Sequence, residues 1–101
     1  MTSARAEDEV VELCSELIRF DTSNTGELET TKGEREAADY VVAKLADVGL
    51  TYERVESGAP GRDNIFCRVA GSDPGRGALL VHGHLDVVPA DPSEWSVHPF
   101  S

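Results

Sequence analysis

The sequence predicts an α/β protein in which two helices precede three strands. Three observations carry this. Two stretches before Gly49 repeat their apolar residues at helical spacing. After Gly49 the chain turns to strand formers interrupted by Gly and Pro. Finally, Ala78-Leu79-Leu80-Val81-His82 is a continuous apolar run behind a strong turn, the pattern of a strand covered on both faces inside a sheet.

The first helix is expected over 5–20, within a pattern that runs from Ser3 to Phe20. Val10, Leu13, Cys14, Leu17 and Ile18 form its apolar stripe. Glu7, Asp8 and Glu9 crowd its first turns and Arg19 its last, as the helix dipole favours. Residues 21–30 are polar, with Asn24-Thr25-Gly26 as the turn. The second helix is expected over 32–48, because Thr31 and Glu34 have capping-box spacing and Gly49 supplies a stop. Its face of Ala37, Ala38, Val41, Val42, Leu45 and Ala46 is small enough for close packing.

Strands are expected at 50–56, 64–70 and 78–82, the first two as a hairpin or near neighbours. The loop at 57–63 holds two Gly and one Pro, and 71–77 (Gly-Ser-Asp-Pro-Gly-Arg-Gly) is the clearest turn. From Gly83 onward the chain is irregular. No repeat, linker or low-complexity block divides its 101 residues, so one domain or part of one is expected.

The composition excludes several classes. With 40% apolar and 28% charged residues it is that of an ordinary soluble chain. A net charge of −10 and nine scattered Lys and Arg argue against nucleic acid. No stretch approaches the roughly 20 apolar residues of a membrane span, and Met1 to Glu9 contain no signal-peptide core. Cys14 and Cys67 fit neither a metal knuckle nor a disulfide framework and read as buried reduced thiols. A cytoplasmic location is expected.

Chemistry concentrates in Leu80-Val81-His82-Gly83-His84-Leu85-Asp86-Val87-Val88-Pro89. Ligands of open α/β sheets bind beyond the carboxyl ends of strands, and here such an end is followed by metal-competent groups. In extended chain, His82, His84 and Asp86 point to one side. A neutral imidazole ligates zinc well, and a carboxylate two residues on can fix its tautomer. The spacing alone is equally that of a hydrogen-bonded pair in a turn.

The segment Gly83-His84-Leu85-Asp86-Val87-Val88-Pro89, followed by Trp95 and Pro99-Phe100, resembles the first signature of a co-catalytic zinc hydrolase family. This family comprises aminoacylases, acetylornithine deacetylases, succinyl-diaminopimelate desuccinylases and glutamate carboxypeptidases. Leu17-Ile18-Arg19-Phe20-Asp21-Thr22-Ser23 and Gly49-Leu50 extend the resemblance upstream, so that it runs from about Glu9 to the last residue.

The resemblance implies that 1–101 is the amino-terminal portion of a catalytic domain with a mixed sheet. It implies His84 as a ligand of one of two zinc ions, with cobalt as another usable divalent metal. Asp86 becomes the carboxylate that orients His84 and raises its basicity. A metal-bridging aspartate, a Glu-Glu pair, a late histidine and a dimerisation domain are expected beyond Ser101. The substrate class implied is an N-acyl amino acid, a dipeptide or a related amide, and the intact protein would be a homodimer. The chain alone is expected to be inactive.

Other notable residues have bland readings. His82 lines the strand end, His98 is a loop residue, and Trp95 and Phe100 pack the loop that Pro89, Pro92 and Pro99 stiffen. Metallo-β-lactamases place a histidine directly after the aspartate, where this chain has Val87. Amidohydrolase barrels carry their His-x-His pair on a first strand, whereas two helices and two strands are expected here before His82. The contrasting alternative is a non-catalytic acidic α/β module in which His84 and Asp86 are a structural pair.

Overall fold

The computed structural model describes residues 5–101. It contains helix α1 (Ala6–Ile18), helix α2 (Arg35–Asp47), strands β1 (Glu53–Glu56) and β2 (Asp63–Phe66), and a short 3-10 turn at Pro92–Glu94. The expected start of the first helix pattern, at Ser3, lies outside the described residues.

α1 carries Glu7, Asp8 and Glu9 in its first turn and ends at Arg19, its C-cap. Its apolar stripe meets little: no residue of α1 is buried, and Val10 and Ile18 are 54% and 47% exposed. Its link to α2 is local. The Tyr40 hydroxyl donates to Glu16, and the Phe20 and Tyr40 rings lie 5.8 Å apart. The Glu16 carboxylate holds the Tyr40 phenol in its protonated form, pushing its pKa up to about 12.

The second helix starts three residues later than its sequence predicts. Gly33 has a φ of +83°, outside the helical region, and Glu34 is the N-cap without a side-chain capping bond. The capping box does not form because both partners are engaged elsewhere. The Thr31 hydroxyl accepts from the Thr25 amide at 3.2 Å, and the Glu34 carboxylate accepts from Arg62 Nε at 2.8 Å. Ala37 and Ala38 sit beneath this contact at 2% and 0% exposure, the whole apolar core among the described residues.

β1 and β2 form an antiparallel hairpin with Glu53 opposite Phe66 and Glu56 opposite Asp63. Both strands are shorter than expected. The hairpin is tied to α2 by ions more than by apolar packing. Arg35 Nη2 meets Glu56 Oε2 at 2.6 Å, and Arg54 bridges Asp39 and Asp63 at 2.6 Å each. Such partly exposed pairs contribute up to about 1 kcal/mol apiece.

Among the described residues the expected third strand does not form: 78–82 have no strand partner there, and Leu79, Leu80 and Val81 are 88%, 83% and 83% exposed. A strand exists only through a ladder. Among the described residues no neighbouring strand approaches this run, so its apolar side chains have no layer to enter. Cys14 and Cys67 are likewise exposed rather than buried, and Trp95 is 55% exposed rather than packed. The Cα radius of gyration is 16.2 Å, against about 13 Å for a closed domain of this length. Among the described residues no helix is long and apolar enough to cross a membrane.

Candidate metal-ligand site

Two strands' worth of sequence separates Asp21 from the His-Gly-His-Leu-Asp segment, yet the fold lays them side by side. The polar stretch after α1 runs parallel to residues 85–87, with a bridge between Ser23 and Val87. Val87 N donates to Thr22 O at 3.1 Å, and Asn24 N donates to Val87 O at 2.8 Å. The Thr22 hydroxyl donates to Leu85 O at 2.7 Å. Thr22 and Ser23 are buried at 3% and 9% exposure, so these bonds are shielded from competing water. This strap holds the backbone on both sides of Asp86.

His84 and Asp86 then meet as side chains. His84 Nδ1 lies 2.8 Å from Asp86 Oδ1 and 2.8 Å from the Asp86 main-chain oxygen. Neither oxygen has a proton to give, so in the neutral ring Nδ1 carries the hydrogen and Nε2 the lone pair. The His84 side chain is 82% exposed and that of Asp86 27%. The imidazole is therefore held at one nitrogen and open at the other.

Asp86 is itself held. Asn24 Nδ2 donates to Asp86 Oδ2 at 2.9 Å, and Arg62 Nη2 stands 3.9 Å from the same oxygen. The Asn24 hydrogen bond is the main reason its carboxyl lies below the usual aspartate range, against the upward pull of burial. His84 and Arg62 add to the lowering. Asp86 is thus an anion at neutral pH, as an acceptor for His84 must be.

An open groove of about 590 Å³ lies beside the pair, bordered by α2, β2 and residues 81–86. Val41, Leu45, Ile65 and Leu85 supply its apolar walls, and Glu34, Arg62, His84 and Asp86 its polar ones. Glu34 is 6% exposed, and its Oε1 is buried with no hydrogen-bond partner. His82 and His98 do not line this groove; His98 instead contacts Phe100, with ring centroids 6.0 Å apart.

The donor chemistry matches zinc in kind but not in number. An exposed Nε2 with its partner nitrogen bonded to a carboxylate is the usual form of a zinc-ligating histidine. A zinc site takes three or more protein donors, and among the described residues no group of three His, Cys, Asp or Glu comes together. Among the described residues, His84 is the imidazole whose open Nε2 could hold a metal, with Asp86 bonded to its other nitrogen. Sequence reasoning missed Asn24, Thr22 and Arg62 around that pair. Asn24 was readable only as a turn residue, which it also is: its Oδ1 accepts from Gly26 N at 3.0 Å.

Comparison with known proteins finds similar sequences over part of the chain. The chain is 35% identical over 68 residues to acetylornithine deacetylase of Vibrio cholerae, covering 63% of this chain and 17% of that protein. It is 41% identical over 63 residues to succinyl-diaminopimelate desuccinylase of Aromatoleum aromaticum, covering 61% and 15%. The desuccinylase of Methylobacterium radiotolerans matches at 31% over 99 residues, covering 95% and 23%. The chain thus spans less than a quarter of the length of these curated relatives. No family model matches it, and no solved structure matches it significantly. Both relatives' names belong to the enzymes whose signature residues 83–100 resemble.

Proposed function

We propose that this chain is the amino-terminal part of a zinc-dependent hydrolase of the aminoacylase and deacetylase family, acting on the amide bond of an N-acyl amino acid. The observation that carries the reading is the His84–Asp86 pair, with Nδ1 bound at 2.8 Å and the side chain 82% exposed. The sequence relatives, a deacetylase and desuccinylases, support the acyl-amide substrate over a peptide.

In this reading His84 donates Nε2 to a metal, and Asp86 keeps the proton on Nδ1 so that Nε2 is never the protonated nitrogen. Zinc, when bound, polarises the scissile carbonyl and makes water acidic enough to attack at neutral pH. The groove walls of Val41, Leu45 and Ile65 would lie under a bound acyl group. Dipeptidase and carboxypeptidase activities remain variants of the same chemistry. The remaining ligands and the general base belong to polypeptide outside these residues.

The alternative, a non-catalytic module, is favoured by the lack of a three-donor cluster among the described residues. Against it stands the exposure of His84, since an exposed pair adds at most about 1 kcal/mol to a fold. The deciding experiment is expression of the whole reading frame. Zinc content and hydrolysis of N-acetylated and N-succinylated amino acids are expected, with one metal and nearly all activity lost in His84→Ala. A whole protein that binds no zinc would rule the reading out.

A further inference from the structure

Asn24 reaches the His84–Asp86 pair from 62 positions away in sequence, and both ends of its side chain are used. Gly26 N donates to Oδ1 at 3.0 Å, so the other terminal atom must be the amide nitrogen. That nitrogen donates to Asp86 Oδ2 at 2.9 Å, while Asp86 Oδ1 holds His84 Nδ1 at 2.8 Å. Gly26 therefore donates to Asn24 and Asn24 to Asp86, while Asp86, an acceptor only, takes the Nδ1–H of the imidazole on its other oxygen.

A free carboxylate rotates about its terminal torsion, which is broad and two-fold. With one oxygen clamped, that rotation is removed, and the remaining oxygen stays in the plane where Nδ1–H meets it. Arg62, at 3.9 Å from Oδ2, is too far to replace the clamp with a hydrogen bond. The strap bonds of Thr22 and Val87 fix the backbone of this segment but not the carboxylate.

We propose that Asn24 is a positioning residue for His84, whose amide clamps one Asp86 oxygen so that the other joins the Asp86 main-chain oxygen in holding Nδ1–H and leaves Nε2 free to ligate. The tautomer part stands on geometry alone; its use for metal rests on the zinc-hydrolase reading above. Asn24 acts one step further from the ligand than Asp86. Its loss therefore weakens zinc binding less than the roughly 10–100-fold typical of a ligand's direct partner.

The test uses the full chain and the variant Asn24→Asp. This variant keeps the oxygen that accepts from Gly26 and replaces the amide donor with a carboxylate oxygen that repels Asp86, so the turn survives while the clamp is lost; Asn24→Ala removes the donor without adding charge. Imidazole nitrogen shifts, followed to alkaline pH until they stop changing, report the tautomer, with His84→Ala assigning the resonance. Wild type is expected to show Nδ1–H at His84, and Asn24→Asp a mixture with a larger share of Nε2–H, the Asp86 main-chain oxygen still favouring Nδ1–H in part, with an unchanged Gly26 amide. Asn24→Ala should show the same mixture. Zinc titration of the same samples should show binding weakened about three- to tenfold. A His84 that keeps the wild-type tautomer in both variants overturns the proposal. If His84→Ala binds zinc as well as wild type, the ligand reading falls, while the tautomer measurement still judges Asn24.

Discussion

Glu34 and Arg62, 28 positions apart, form the least exposed ion pair between a helix and the hairpin. Arg62 Nε donates to Glu34 Oε2 at 2.8 Å, with side-chain exposures of 27% and 8%. The pair closes the gap between the N-terminus of α2 and the hairpin loop, next to the groove that His84 borders. Glu34 N also donates to Gly61 O at 2.8 Å, so backbone and side chain dock together.

Arg62→Ala leaves a nearly buried carboxylate without its cation. Breaking a fully buried pair costs about 3–5 kcal/mol; partial exposure of Arg62 lowers the expected loss to about 2–3 kcal/mol. With only Ala37 and Ala38 buried and apolar among the described residues, this part of the fold has little stability in reserve. Loss of hydrogen-exchange protection at the Ala38 amide is the expected readout. Wild-type protection in Arg62→Ala would show that the pair contributes nothing.

Gly33→Ala attacks the same junction sterically. Gly33 has a φ of +83°, and an added Cβ would stand 2.9 Å from Gly61 O. The left-handed conformation costs a non-glycine residue about 1–2 kcal/mol, and the collision is with backbone that the Glu34 amide holds in place. Reduced helical signal in circular dichroism is expected, whereas Gly26→Ala, whose Cβ would meet nothing within 4 Å, should cost only the conformational part.

Glu56 should make the hairpin acid-sensitive. The Gly61 amide, and then Arg35, hold its carboxyl below the ordinary 4.5. A depressed folded pKa contributes stability that is present above the unfolded value and lost as pH falls through the folded one. Carboxyl NMR shifts should place the Glu56 midpoint below 4.5, with the Gly61 amide shift following the same curve. Glu56→Gln should flatten that curve.

The chain by itself is expected to hydrolyse neither N-acetylated amino acids nor dipeptides and to melt broadly. Chelator-sensitive turnover by the pure chain, or sub-micromolar zinc affinity in calorimetry, would reveal ligands beyond His84.

On the proposed hydrolase reading, His84→Ala in the whole protein should remove one metal and nearly all activity. Asp86→Ala should lose about 10–100-fold in rate or affinity while keeping zinc under excess metal, and His82→Ala should be mild. Elemental analysis beside steady-state rates distinguishes the three. An empty site in His82→Ala with zinc retained in His84→Ala would reverse the assignment.

The sequence by itself determined the two helices, the hairpin and the His84–Asp86 spacing, because each depends on residues within a few positions of one another. Helical periodicity is local, the Gly-rich loop closes neighbouring strands, and two residues of extended chain bring an imidazole to a carboxylate. Tertiary structure alone decided the rest. The run at 78–82 has strand-forming residues but becomes a strand only when a neighbour offers a ladder, and none does among the described residues. The Thr31–Glu34 capping box lost to Arg62, a partner invisible at 28 residues' distance. Asn24 reads as a turn residue until a fold sets it beside Asp86. Hydrogen bonds between distant residues leave no periodic trace in a sequence, since their formation depends on where the whole backbone brings the two groups.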